Sequence, residues 1–347
     1  MNFLDMKHLV TTCAILCFSI GVSAQTVTNV VAKQVGDLVE ITYDVDRSAE
    51  VVLYFSTDGG VSYDATPKTV SGDIGFVGPG HHRIAWHLLA DKSEWDVPRA
   101  RFKVLVRKKR DIRRFAVNNI DFDMILVEGG TFRMGATEEQ NKKSEIDERP
   151  IHSVTLQDYY IGKTEVTQAL WEAVMGSNPS SYKAANKPVE LVSWNDCQLF
   201  IHRLDSILAP QLMGAHFTLP TEAQWEYAAR GGKKTQQNLY CGNNSINAVA
   251  WFDGNSGSIT HPVAGKEPNE LGIHDMSGNV SEWCQDRYGS YSTAAQNDPE
   301  GSATGNSRVY RGGSWFNLAK YCRVSARKFA TQDVRFTDIG LRLVLIP

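Results

Sequence analysis

Four cysteines in the body of this chain, Cys197, Cys241, Cys284 and Cys322, carry the most varied chemistry open to it. A thiolate can grip a soft metal, attack an electrophile or close a disulfide. A nucleophilic cysteine needs a neighbouring base, and the nine histidines are scattered with no Cys/His constellation. His81 and His82 read as surface turn residues, and His152, His261 and His274 as hydrogen-bonded structural groups. The four thiols allow three complete pairings. Lys and Arg number 36 against 39 Asp and Glu, a net charge of −3, so the basic footprint that nucleic acid requires is missing.

Those residues need a scaffold, and 347 residues at 42% hydrophobic and 22% charged suffice for two domains. Val39, Ile41, Tyr43 and Val45 alternate with Glu40, Thr42 and Asp44, the period of a half-buried strand. Val51–Phe55 is a β-branched and aromatic run, and Asp58-Gly59-Gly60 then turns the chain as in a hairpin. Phe102, Val104 and Val106 alternate again. Residues 25–106 therefore predict a small all-β sandwich of the immunoglobulin type. The run from Arg107 to Arg114 reads as part of a solvated linker over 107–122.

From 123 to 347 the texture changes to interleaved Gly, Asn, Ser and Trp, with three capped helices. Thr167 caps a stretch with Leu170, Trp171 and Val174 on one face. Ser193 and Asp196 precede Cys197, Phe200, Ile201 and Leu204 at helical spacing. Thr221 and Gln224 form a capping box, and Gly231 is the stop. Six of the eight tryptophans lie between Trp171 and Trp315, the usual anchors of such a domain. The stretch from Gly231 to Gly313 reads mostly as loop, which in a compact domain is functional or pinned by ions or disulfides.

The first 24 residues read as an address. Lys7 and His8 precede an apolar run from Leu9 to Val22, too short for a membrane span, and Val22-Ser23-Ala24 ends in small residues. Cleavage after Ala24 is expected, leaving no transmembrane span and a periplasmic, cell-surface or secreted chain. Cys13 and Cys17 follow Thr12 and Leu16, where a lipid-anchor site wants a small residue.

An ordered series of motifs then resembles one family. It starts with Met124-Ile125-Leu126-Val127-Glu128-Gly129-Gly130-Thr131-Phe132-Arg133-Met134-Gly135 and Tyr160-Ile161-Gly162-Lys163-Thr164-Glu165-Val166-Thr167. It continues with Leu219-Pro220-Thr221-Glu222-Ala223-Gln224-Trp225-Glu226-Tyr227-Ala228 and Gly272-Ile273-His274-Asp275-Met276-Ser277-Gly278-Asn279-Val280-Ser281-Glu282-Trp283. Arg311-Gly312-Gly313-Ser314-Trp315 and Gly340-Leu341-Arg342-Leu343-Val344 close it. Residues 123–346 resemble the formylglycine-generating enzyme, or sulfatase-modifying factor, domain. The resemblance implies an α+β domain of C-type-lectin-like topology with little regular secondary structure.

The oxidases of that family hold copper(I) between two cysteines five positions apart and convert a substrate cysteine to formylglycine. The matching positions here are Asn317 and Cys322, and one soft ligand cannot make a two-thiolate copper site. Leu318 stands where many active members have histidine, and Ser281 where they have an aromatic residue. The resemblance places a substrate groove at Ser314, Trp315, Asn317 and Cys322, with Ser314 and Cys322 as what remains of the catalytic set. It also implies calcium, with carboxylate oxygens from Asp275 and Glu282 and carbonyls from Gly278 and Val280. The alternative is that Asp275 caps a turn and Glu282 pairs with Arg311 or Arg342. A Cys284–Cys322 disulfide is expected for an exported chain. Two functions follow: a non-catalytic module that binds a protein, peptide or glycan partner, or an oxidase-like modifier of a sulfatase cysteine or other thiol peptide, with altered chemistry.

Overall fold

A computed structural model describes residues 27–46, 49–63, 67–91, 101–107, 111–140, 144–212 and 214–347. The expected leader lies outside them. Contacts divide the chain into two units, one built on residues up to Lys109 and one on Arg110–Leu212 and His216–Ile346.

The first unit is the all-β sandwich that the alternation predicts. Strands β1 (Val27–Val35), β2 (Leu38–Val45), β3 (Ala49–Ser56), β4 (Val70–Gly72), β5 (Gly75–Val77), β6 (Gly80–His87) and β7 (Arg101–Arg107) form two sheets, ordered β1-β2-β6-β4 and β5-β3-β7. Val39, Ile41, Tyr43 and Val45 all point inward, packing with Leu53, Phe55, Ile84, Trp86 and Phe102. The turn at Asp58 forms by side-chain capping: the carboxylate accepts the N–H groups of Val61 and Ser62. It is not a hairpin, because β3 pairs with β5 and β7 while the following strand β4 joins β6 in the other sheet.

The second unit is α+β. Its strands are β8 (Ile112–Val117), β9 (Ile120–Val127), β10 (Gly130–Met134), β11 (His152–Leu156), β12 (Tyr159–Gly162), β13 (His216–Thr218), β14 (Ser281–Arg287), β15 (Gln296–Asn297), β16 (Ser307–Arg311), β17 (Arg327–Thr331), β18 (Ile339–Gly340) and β19 (Val344–Ile346). They form three sheets, ordered β13-β19-β12-β9-β8, β10-β11-β15 and β17-β16-β14-β18. The linker expected at 107–122 is corrected here, since β8 and the start of β9 occupy most of it. The inward side of β8 is apolar from Phe115 onward. Phe115 and Val117 are buried, and the Phe115 ring meets Phe122 and Phe217. Arg114 meanwhile pairs with Asp123 across the hairpin at 2.7 Å.

The three capped helices form where the caps place them. Helix α1 (Gln168–Met175) starts at Thr167, whose side chain accepts the Leu170 N–H at 3.2 Å. Helix α2 (Trp194–Leu212) starts with reciprocal bonds between Ser193 and Asp196. The Trp171 ring of α1 stacks on Phe200 of α2 with centroids 4.9 Å apart. Helix α3 (Glu222–Ala229) carries the Thr221/Gln224 capping box and is buried along its whole length. Trp225 and Ala228 of α3 share one core with Ile125, Ile161, Met276, Cys284 and Val309. All three sheets and α3 thus share one core with Ile273 and Met276 of the long loop region.

Candidate functional site

The loop after β16 carries the expected groove residues. Gly312 and Gly313 both have positive φ, and a Cβ on Gly313 would lie 2.8 Å from the Cys322 Sγ. That approach lets the chain fold back over the thiol. Ser314 donates its hydroxyl to Asp338 Oδ2 at 2.8 Å, and the Trp315 indole N–H donates to the Thr337 carbonyl at 3.1 Å. The Asn317 N–H donates to the Ser314 carbonyl, and the Asp253 N–H to the Asn317 carbonyl. The structure therefore brings Ser314, Trp315, Asn317 and Cys322 together. Only Asn317 is even partly open, because Ser314, Trp315 and Cys322 are buried.

Burial pushes the Cys322 thiol up to about 12, against a hydrogen bond from the Ser314 backbone. A thiol so disposed keeps its proton at neutral pH and is a poor nucleophile unless a base or a metal takes that proton. The expected disulfide is also corrected: all four described cysteines are free and buried. Cys284 sits in the main core beside Trp225, whereas Cys322 packs in a separate cluster with Tyr240 and Val249. What the sequence reading missed is the rim. Phe316 is 65% and Leu318 56% exposed on either side of Asn317, and Tyr182 meets the Trp315 ring edge-on at 5.5 Å. Two apolar residues flanking an amide in a Gly/Ser loop were the available signal.

Of the residues expected to hold calcium, Asp275, Gly278 and Val280 lie in the loop before β14 and Glu282 on that strand. Asp275, Gly278 and Asn279 all have positive φ. A Cβ on Gly278 would lie 2.2 Å from the Trp251 carbonyl, so only glycine fits there. Asp275 is buried. Its Oδ2 accepts the Ala264 N–H at 2.6 Å, while Oδ1 is buried without a hydrogen-bond partner among the described residues. Glu282 is not open to an ion. Its oxygens accept Arg342 Nε at 3.0 and 2.9 Å, Arg342 Nη2 at 2.6 Å and the Trp225 indole at 2.6 Å. Of the two alternatives, Glu282 takes the arginine pair, with Arg342, and Arg311 pairs instead with Glu226. Arg342 also donates to the carbonyls of Gly162 and His274. Burial opposes its charge, and the Glu282 carboxylate outweighs that opposition, holding the guanidinium above its ordinary range.

Glu165, which the sequence reading did not single out, completes the cluster. It accepts the Asn279 side-chain amide at 3.0 Å and the Val280 N–H at 3.2 Å. Burial, then the nearby Asp275 and Glu282 charges, hold its carboxyl well above the usual range. Burial also raises Asp275 to about 6. Three carboxyl groups thus share one arginine in the interior.

Other buried pairs brace the same domain, with Glu148 on Arg323 and Glu222 on Arg327. Beside Glu222 lies Asp286 of β14, which accepts the Glu222 N–H at 2.8 Å. Burial, then the Glu222 charge, push Asp286 up to about 8. The folded chain therefore holds a proton that the unfolded chain releases above its ordinary value of 3.8. This contribution is full below that value and is lost as pH rises towards 8. Stability is expected to fall by up to about 1.4 kcal/mol per pH unit over that window from this one group. Urea unfolding at pH 5 and pH 7 should show the slope in the native chain and a flatter one in Asp286→Asn. Equal slopes would refute the assignment.

An α+β domain with a long loop region and a Gly-Gly-Ser loop folded over a thiol fits a lectin-like fold. The sulfatase-modifying factor enzyme 1-like domain matches residues 108–346, and the chain belongs to this family. Chaperone protein LppX of Paenibacillus barcinonensis is 34% identical over 268 residues, 64% of this chain and 89% of that protein. The formylglycine-generating enzyme of Thermomonospora curvata is 28% identical over 311 residues, 68% of this chain and 98% of that enzyme. Among solved structures, Treponema denticola variable protein 1 matches with a TM-score of 0.63 at 32% identity, covering 69% of this chain and all of that one. No helix among the described residues is long and apolar enough to cross a membrane.

Proposed function

We propose that this chain is a non-catalytic binding module of its family, and that the loop from Ser314 to Cys322 presents its binding face to a protein partner. The observation that carries the proposal is the state of Cys322: a wholly buried thiol, raised to about 12, with an amide five residues before it. Copper(I) wants two soft, deprotonated ligands, and this donor set does not fit it. The exposed Phe316 and Leu318 offer a partner apolar area instead. The similarity to a protein named a chaperone supports a protein as that partner. The test is aerobic incubation of the purified protein with copper and a Cys-x-Pro-x-Arg peptide. The native chain should bind less than one equivalent of copper and give no aldehyde by mass spectrometry. Asn317→Cys should gain copper binding. Stoichiometric copper and turnover by the native chain would establish the oxidase reading in its place.

We also propose that a structural calcium ion belongs to this family domain at the Asp275 turn. The unpartnered Asp275 Oδ1 and the excess of carboxylates over Arg342 support a cation there; Glu282, saturated by donors, is not one of its ligands. The ion would neutralise buried charge and tie the turn down. Calcium at about a hundred times its dissociation constant adds about 2.7 kcal/mol. That corresponds to roughly 5–10 °C in Tm for a domain of this size. EDTA should lower Tm by that amount and added calcium restore it. An unchanged Tm would remove the ion.

A further inference from the structure

Strand β10 is an edge of its sheet, and the backbone groups of two of its five residues face a groove. The Thr155 carbonyl of β11 accepts the Asp298 N–H on the side away from β10. Backbone groups alternate sides along a strand, so Val154 and Leu156 face β10. Their partners are Phe132 and Gly130. The N–H and C=O groups of Thr131 and Arg133 must then point away from the sheet. Gly135, next in that alternation, confirms the direction. Its N–H donates to Glu226 Oε1 at 2.9 Å, and its carbonyl accepts Arg230 Nη2 at 2.7 Å. The same edge is therefore capped by helix α3 at Gly135 and uncapped at Arg133 and Thr131.

The uncapped part opens on a groove of about 690 Å³. Phe132 and Tyr227, with ring centroids 5.0 Å apart, give it an apolar side. Arg133, Arg230 and Lys233 line it against Glu138 and Glu139, an excess of cations. Arg230 is occupied by Glu226 and Glu139, and Lys233 by Glu128. Arg133 is exposed and has no carboxylate partner among the described residues.

We propose that this groove takes an extended peptide segment of a partner protein as an added strand on β10, with an acidic residue opposite Arg133 and apolar residues on the Phe132–Tyr227 side. An exposed strand edge is a template for another strand, its main-chain groups giving affinity and alternate side chains giving selectivity. Four backbone groups, two donors and two acceptors at a two-residue spacing, are complemented by the alternating groups of a second strand. In such a pair the residue bonded to Arg133 has its side chain on the same face as the guanidinium, where opposite charges attract. This surface is separate from the loop at Ser314, and its occupancy does not depend on what that loop binds.

The probe is a fluorescein-labelled heptapeptide amide, Val-Glu-Val-Glu-Val-Glu-Val, read by anisotropy against the full-length protein. Two further versions carry N-methyl groups on the glutamates or on the valines, with side chains unchanged. Saturable binding is expected for the parent. It should weaken at least about tenfold when the glutamate amides are methylated and stay within about twofold when the valine amides are. Hydrogen exchange at the Thr131 and Arg133 amides should slow on adding the parent peptide. Thr131→Pro removes an N–H outside the ladder, a place where an edge strand accepts proline. It should weaken binding about tenfold, with Tm lowered only slightly by loss of the exposed Thr131–Thr155 hydroxyl bond. Equal binding of the two methylated peptides, or no saturable binding of the parent up to about 1 mM, overturns the proposal. Because the peptide comparison is made on the native chain, it decides the matter even if Thr131→Pro does not fold.

Discussion

Arg342→Met is expected to cost the second domain about 3–5 kcal/mol, because it leaves Glu282 buried and charged without its partner. The guanidinium is fully buried and meets Glu282 at 2.6 Å. Its remaining donors serve the carbonyls of Gly162 and His274, which would also lose their partners. Methionine fills similar space but donates nothing. Glu165, Asp275 and Glu282 would then face one another with no counter-charge. Arg342→Lys should recover only part of the loss, since an ammonium cannot form the fork that holds both oxygens. Urea unfolding at pH 7 gives the figure, and a loss below about 1 kcal/mol for Arg342→Met would show that Glu282 is satisfied some other way.

The second large effect is at Trp225. Trp225→Ala should cost about 3–5 kcal/mol, since the side chain is fully buried in the main core. Trp225→Phe separates two contributions. It keeps most of the ring volume and removes only the indole N–H bond to Glu282, a bond to a charged group worth about 1.5–3 kcal/mol. Because Trp225 and Arg342 meet at the same carboxylate, Arg342→Met with Trp225→Phe should cost less than the sum by about 0.5–3 kcal/mol. Strict additivity would mean that the two donors act on Glu282 independently.

What the sequence made legible was local. The caps at Thr167, Ser193 and Thr221 sit within three residues of the groups they satisfy, so spacing alone reveals them. The alternation in β2 reveals which side chains fill the sandwich. The segment from Arg107 to Arg114 misled because charge dominated its appearance, while Phe115 and Val117 beyond it decide that Ile112–Val117 is a strand. The fate of Glu282 was not legible. A carboxylate in a Gly/Asn turn reads equally as an ion ligand or as half of a pair, and its arginine lies 60 residues away. The same holds for Cys284 and Cys322, which occupy neighbouring motifs but different clusters. Phe316 and Leu318 are easily overlooked for the opposite reason, since an apolar residue in a core-rich domain is read as buried.

Four buried carboxylate–arginine pairs share a direction along the chain. In each of Glu148–Arg323, Glu222–Arg327, Glu226–Arg311 and Glu282–Arg342 the acid comes first and its arginine follows by 60 to 175 residues. A ribosome therefore releases every one of these acids well before the base that neutralises it. A nascent chain ending before Arg311 cannot bury them without stranding several negative charges in a dry interior. Native closure of this domain must wait for the segment from Arg311 to Arg342, and is slow in the way distant contacts make it.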